Sequence, residues 1–209
     1  MTEQLGLRER KKLRTTEHIA NTALELFLQR GFDQVSVADV ATAAEVSKKT
    51  VFNYFPAKED LVLFPIRDHK GEPARVVRTR QADESPVTAL RRHFLTGLQE
   101  RDPITGLADY EEFLAFQGMV MSTPSLKLRL LEQWTDSEAV LAEALAETLG
   151  KPPTAIVPNA LASQIISVQR TLIVRNVERM LSGDDPAAVH DQCAAEAEAA
   201  FDLLEKSLR

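Results

Sequence analysis

The residues best suited to chemistry cluster near the start of the chain. Lys48, Lys49, Phe52 and Asn53 fall within six positions of one another. On a helical period they project from one side, while Val51 and Phe55 share the other with Val46 and the Val37, Val40, Ala41 stripe. Two ammonium groups, a ring and a carboxamide make no nucleophile or general acid–base pair. They suit recognition instead, because an ammonium pairs with phosphate or with the O6/N7 edge of guanine and Asn pairs bidentately with adenine. Cations in the first turn of a helix sit at its positive end and cost about 0.3–1 kcal/mol each at low salt. An anionic partner offsets that cost. Upstream, Arg8, Arg10, Lys11, Lys12 and Arg14 put five cations in seven positions, opposed only by Glu9. Such a run is either a solvated terminus or an arm facing phosphates.

Catalytic chemistry finds less support. His18, His69, His93 and His190 show no H-x-x-x-H spacing, and the chain carries no G-x-S-x-G, P-loop or G-x-G-x-x-G pattern. Cys193 is the only cysteine, which rules out a disulfide within one chain and argues against a cysteine zinc site. It lies in an Ala-rich stretch that reads as helix packing. No cofactor and no metal are expected.

The elements that must position these residues are helical almost throughout. The 209 residues hold eight glycines and ten prolines, placed mostly at joints between periodic stretches. No run alternates with period two, so the expected class is all-α. A first helix is expected over residues 8–30, with Gly31 closing it. Ser36 and Asp39 resemble a capping box opening a second helix of two turns. Glu45-Val46-Ser47 is a three-residue break, Ser47 caps a third helix over residues 48–55, and Pro56 ends it. A fourth helix opens near Lys58, with Pro65 and Gly71 as bend points. Residues 71–88 read as a kink or loop. Later helices are expected over 87–101, 107–121, 125–149, 157–182 and 186–207, making about nine in all.

Composition bounds the class further. The content is 44% hydrophobic and 27% charged, ordinary for a globular protein, and no apolar run is long enough to span a membrane. The first 14 residues are polar and basic, so no leader is read there and a cytoplasmic protein is expected. The net charge of −6 argues mildly against a nucleic-acid partner. Splitting it reverses the argument: residues 1–58 hold nine Lys/Arg against seven Asp/Glu, a net of +2, leaving −8 for the rest.

Two short helices joined by a tight turn form a helix-turn-helix skeleton, in which the second helix reads DNA. Residues 9–64 resemble the N-terminal DNA-binding domain of the tetracycline-repressor (TetR) family of bacterial regulators. The resemblance rests on Ala23-Leu24-Glu25-Leu26-Phe27, Arg30-Gly31-Phe32, Val35 to Ala41, Val46 to Phe55 and Pro56 to Leu61. It implies that Thr50 and Tyr54 contact the DNA backbone, that Lys58 binds phosphate at the start of the fourth helix, and that Ser36 caps the second helix and touches phosphate. Lys48, Lys49 and Asn53 are the base-reading candidates, Phe52 offers apolar contact, and Arg14 belongs to the arm. Three positions depart from the family pattern: Glu45 where Gly is frequent, Phe52 where Tyr is frequent, and Ala57 where a capping hydroxyl is usual.

A single helix-turn-helix reads few base pairs, so a dimer on a pseudo-palindromic double-stranded operator is expected. The resemblance implies a homodimer through the last two helices, where residues 157–182 are apolar and residues 187–208 are rich in Ala. It divides the chain into a DNA-binding domain, 1–58, and a ligand-binding and dimerisation domain, 59–209. Within the latter it implies a small-molecule effector site, with candidates Phe94, Leu98, Phe113, Phe116, Gln117, Met119, Trp134 and Gln169. Residues 123–150 are similar to the C-terminal domain of mycofactocin-associated regulators, which implies a lipophilic or acyl-type effector. Two alternatives stay open: a DNA-binding regulator with a solid core and no effector, and a helical enzyme.

Overall fold

A computed structural model describes residues 6–207, the side chains of Asp68 and Ser207 excepted. Among these residues there are ten α-helices and two 3-10 segments, and no strand. They divide into two compact units. One comprises the described residues up to Pro65 together with Met119–Arg129, and the other comprises Ile66–Gly118 and the described residues from Leu130 on.

The first unit is built on α1 (Leu7–Arg30), α2 (Val37–Ala43), α3 (Lys48–Tyr54) and α4 (Lys58–Val62). The apolar stripe of α1 buries Ile19, Ala20, Ala23 and Phe27. Val40 and Ala41 of α2, Val51 of α3, and Leu61 and Val62 of α4 are buried with them. The fourth helix is shorter than the sequence reading implies. It stops at Val62, and a 3-10 segment, Phe64–Gly71, follows it. Pro65 removes a backbone donor there and disfavours α geometry in the residue before it.

The second unit contains α5 (Glu72–Thr79), α6 (Pro86–Glu100), a 3-10 turn (Pro103–Thr105), α7 (Glu111–Ser122), α8 (Pro124–Leu149), α9 (Ile156–Ser182) and α10 (Pro186–Ser207), with residues 119–129 of α7 and α8 belonging to the first unit. Its core joins Val77, Leu90, Phe94, Leu98, Leu141, Leu145, Ile165, Leu172 and Phe201, all buried.

Two expectations need correction. Residues 71–88, expected as a kink or loop, hold α5 over Glu72–Thr79, and the irregular connection is confined to 80–85. Pro73 stands in the first turn of this helix, where no intrahelical N–H is required. Ala74 and Val77 then anchor the helix in the core. The helix expected from residue 107 starts at Glu111. Gly106 has φ +79°, and a Cβ there would lie 2.5 Å from the Ile173 carbonyl oxygen. The buried Asn176 amide donates to the Thr105 carbonyl at 2.8 Å, so this segment is spent on seating against α9.

Candidate nucleic-acid interface

The turn between α2 and α3 is built from backbone hydrogen bonds. Val46 N–H donates to the Ala41 carbonyl at 2.9 Å and Glu45 N–H to the Thr42 carbonyl at 3.2 Å. This is a Schellman closure, which requires a left-handed residue just past the helix end. Glu45 supplies it, with φ +54°. The departure from Gly at this place therefore leaves the turn intact.

Capping sets the start of both helices. The Ser36 hydroxyl accepts from Asp39 N–H at 3.2 Å, and Asp39 Oδ2 accepts from Ser36 N–H at 2.8 Å. The capping box read from the sequence is present, with Asp serving in place of Glu. Hydrogen bonds from the Ser36 hydroxyl and N–H hold the Asp39 carboxyl below its usual value. Ser47 caps α3 by accepting from Thr50 N–H at 3.0 Å. The Ser47 and Thr50 hydroxyls lie 2.7 Å apart, which orients the Thr50 side chain.

The two faces of α3 separate as its period requires. Val51 is fully buried, Phe55 is buried just past the helix end, and Val46 is half-buried. Lys48, Lys49 and Asn53 are exposed, and Phe52 is 45% exposed. Thr50 and Tyr54 are half-buried at its edges. The Lys48 ammonium lies 5.9 Å from the Phe52 ring centroid, so a cation and a ring form one exposed patch. No acidic residue stands in the first turn of α3. Among the described residues, Lys48 and Lys49 have no ion pair, and neither do Arg8, Arg10, Lys11, Lys12 and Arg14 along the exposed start of α1.

Lys58 is placed differently from the other candidates. Its ammonium donates to the Phe32 carbonyl at 2.5 Å and lies 4.0 Å from the Phe32 ring centroid and 5.5 Å from that of Phe27. It thus ties the start of α4 to the connection after α1. Ala57 brings no hydroxyl, yet the start of α4 is partly served because Asp60 Oδ2 accepts from Ala57 N–H at 3.0 Å. Asp60 Oδ1 accepts from Arg129 Nε at 2.7 Å. The sequence signalled neither tie, since the partners stand 26 and 69 residues apart.

The effector candidates fall as follows. Phe94 and Leu98 are in the core of the second unit, with the Phe94 ring 6.1 Å from that of Phe201. Phe113 and Phe116 are buried on α7, and the Phe113 ring is 5.6 Å from that of Tyr110. Trp134 is half-buried and packs against the core, with the Arg170 guanidinium 5.6 Å from its ring centroid. Gln117 and Gln169 are half-buried without a hydrogen-bond partner among the described residues. Met119 is half-buried and belongs to the first unit.

Cys193 is buried, and burial pushes its thiol pKa up against the opposing pull of Arg179. Arg179 sits 3.3 Å from the sulfur and 2.6 Å from Glu196. A thiol held in its neutral form beside a satisfied arginine reads as packing. No group of three His, Cys, Asp or Glu among the described residues is placed to hold a metal ion, and no described helix is long and apolar enough to cross a membrane.

Known proteins resemble this chain in sequence and in fold. Residues 19–63 match the profile described as bacterial regulatory proteins, tetR family, and residues 84–208 match the MftR C-terminal domain. The transcriptional regulator TcmR of Streptomyces glaucescens is 33% identical over 146 residues, covering 69% of this chain and 65% of TcmR. This chain therefore spans slightly less than two thirds of that relative's length. The putative mycofactocin biosynthesis regulator MftR of Mycobacterium tuberculosis is 24% identical over 162 residues, covering 76% of this chain and 78% of MftR. Among solved structures, Thermus thermophilus FadR in complex with lauroyl-CoA superposes with a TM-score of 0.54 at 22% identity, covering 90% of this chain and 92% of that one. With the capped helix pair, its closed turn and the exposed lysine face, these matches place the chain in the TetR family of transcriptional regulators, with a DNA-binding helix-turn-helix at residues 37–54.

Proposed function

We propose that the chain is a dimeric repressor that binds a pseudo-palindromic operator in the cytoplasm and releases it when a small lipophilic ligand occupies the second domain. The observation that carries the DNA reading is the exposed, unpaired Lys48 and Lys49 on a seven-residue helix whose opposite face is buried. Isolated, that arrangement costs stability; against DNA it supplies base and phosphate contacts. In this reading Lys48, Lys49 and Asn53 read base edges, and Phe52 meets an apolar group such as a thymine methyl. Arg14, Ser36, Thr50, Tyr54 and Lys58 contact the backbone, Lys58 by leaving the Phe32 carbonyl.

Dimerisation through α9 and α10 is supported by their outward faces. On α10, Ala188, Gln192, Ala195, Ala199 and Leu203 recur on one exposed side, with Leu203 68% exposed. On α9, Ala160, Ser163, Ser167 and Thr171 do the same. Small side chains allow the close helix approach of a bundle across a twofold axis. The larger apolar residues of α9, among them Leu161, Ile165 and Leu172, are taken up by the chain's own core. A ligand changes operator affinity only through unequal affinity for two conformations of the dimer.

Replacing Lys48 and Lys49 together by Ala tests the DNA reading. Specific operator binding should fall by at least about a hundredfold, on the order of 1–3 kcal/mol per lost base contact, with the dimer and its melting temperature unchanged. A footprint at the protein's own promoter that survives both changes rejects α3 as the reading helix.

A further inference from the structure

Four arginines of the second unit are half-buried: Arg80, Arg91, Arg170 and Arg179. Three are held by acceptors. Arg80 donates to the Glu84 and Val77 carbonyls, Arg91 to Asp202, and Arg179 to Glu196. Arg170 alone among them has no hydrogen bond and no ion pair to any described residue, and its guanidinium lies 5.6 Å from the Trp134 ring centroid. A guanidinium carries five donors that a carboxylate or phosphate can satisfy in pairs, and an aromatic face satisfies none of them. At 5.6 Å from the ring centroid the cation is attracted to the aromatic face, which leaves its donors available to an anion.

Along α9, Ile166 and Ile173 stand about one turn from Arg170 on its side of the helix, Ile166 within the core of this unit and Ile173, like Trp134, packed against it. Gln169, next along α9, is half-buried with its carboxamide unpartnered among the described residues. A half-buried cation without an acceptor, with apolar side chains one turn away on its helix and an unpartnered amide next in sequence, suits the head of an amphiphile.

We propose that Arg170 on Trp134 is the anion anchor of the effector site, taking the carboxylate of an apolar carboxylic acid while its chain lies against the neighbouring apolar side chains. This rests on the effector reading above and adds the charge and class of the ligand. Arg170 was absent from the candidates read from the sequence because nothing local distinguishes it from a solvated arginine. Its isolation is visible only once its neighbours in space are known.

The sole tryptophan of the chain is Trp134, so its emission reports the site directly. Decanoate and 1-decanol, equal in chain length and unequal in charge, are titrated into the full-length protein below their aggregation limits, with equilibrium dialysis as a second measure. Decanoate should bind at least about tenfold more tightly than 1-decanol, as expected of a paired, charge-assisted contact. In Arg170→Gln that preference should collapse to within about twofold with 1-decanol binding retained, and Arg170→Lys should keep part of it. Should Arg170→Gln not fold, Arg170→Lys carries the test through the same ratio, which must fall. Equal affinity of the wild type for the two probes overturns the anchor and leaves the effector site standing. A preference that survives in Arg170→Gln also overturns the anchor. If neither probe binds, both the anchor and the lipophilic-effector reading fail. If Arg170→Gln turns a dimeric protein into a monomer by sedimentation, the guanidinium belongs to the subunit interface and the proposal is overturned.

Discussion

Glu45 holds a left-handed backbone at φ +54° where a Cβ is crowded. That conformation costs a non-glycine residue roughly 1–2 kcal/mol, and the extra freedom of an unfolded glycine offsets about 0.5–1 of it. Glu45→Gly should therefore stabilise the protein by up to about 1 kcal/mol, read as a higher urea midpoint at unchanged slope. A lower midpoint would mean that the Glu45 side chain contributes something its exposed position does not reveal. Caps at this scale were legible from the sequence because donor and acceptor stand three residues apart, as with Ser36–Asp39 and Ser47–Thr50. Lys58 was legible only as a cation. Its partner, the Phe32 carbonyl, and the two rings beneath it come from distant positions that folding brings together.

Among the elements, the long helices α8, α9 and α10 follow the sequence expectation within a residue or two, because each has sustained periodicity and a Pro or Gly at its ends. The misses, α5 and the start of α7, are short and carry a Pro or Gly whose effect depends on its position in the turn. The outward face of α10 is small and exposed, and its opposite face, Cys193, Ala197 and Phe201, is buried. If that outward face is the subunit interface, Ala195→Arg with Ala199→Arg buries two unpaired cations on each side. The dimer dissociation constant should then rise by more than about a hundredfold in sedimentation velocity, at unchanged helical content. A dimer of undiminished affinity would move the interface elsewhere.

In the whole molecule charge is distributed unevenly, and the second unit carries a network of ion pairs among its described residues. Glu72 there gathers His69 at 2.8 Å, His93 at 3.1 Å and Arg75 at 3.1 Å, joining the 3-10 segment, α5 and α6. Hydrogen bonds from His69 and then His93 hold its carboxyl well below the ordinary 4.5, against the opposing effect of burial. The folded state thus favours the ionised form, and the unfolded chain takes up the proton first as pH falls. The stabilisation is complete above about pH 4.5 and is lost progressively below it. Glu72→Gln should cost about 1–2 kcal/mol at pH 7, allowing for the solvent that reaches the cluster, and should flatten the loss of stability between about pH 5 and 3. Parallel acid limbs in urea melts of the two proteins would assign the acid sensitivity to other carboxylates. The His69–Glu72 spacing was open to view in the sequence, and His93, on another helix, was not.

By itself the sequence determined the all-α class, the capped helix pair and the face of α3 turned outward, because period, cap and turn chemistry act within a few residues. It also separated a basic start from an acidic remainder, since charge is simply summed. Only the tertiary structure decided which cations are satisfied and which are left over. Lys58, Arg91 and Arg179 found acceptors, whereas Arg170 found a ring and Lys48 and Lys49 stayed open. The physical reason is that a charge is settled by whatever the fold places within about 4 Å of it, and those neighbours come from anywhere in the chain.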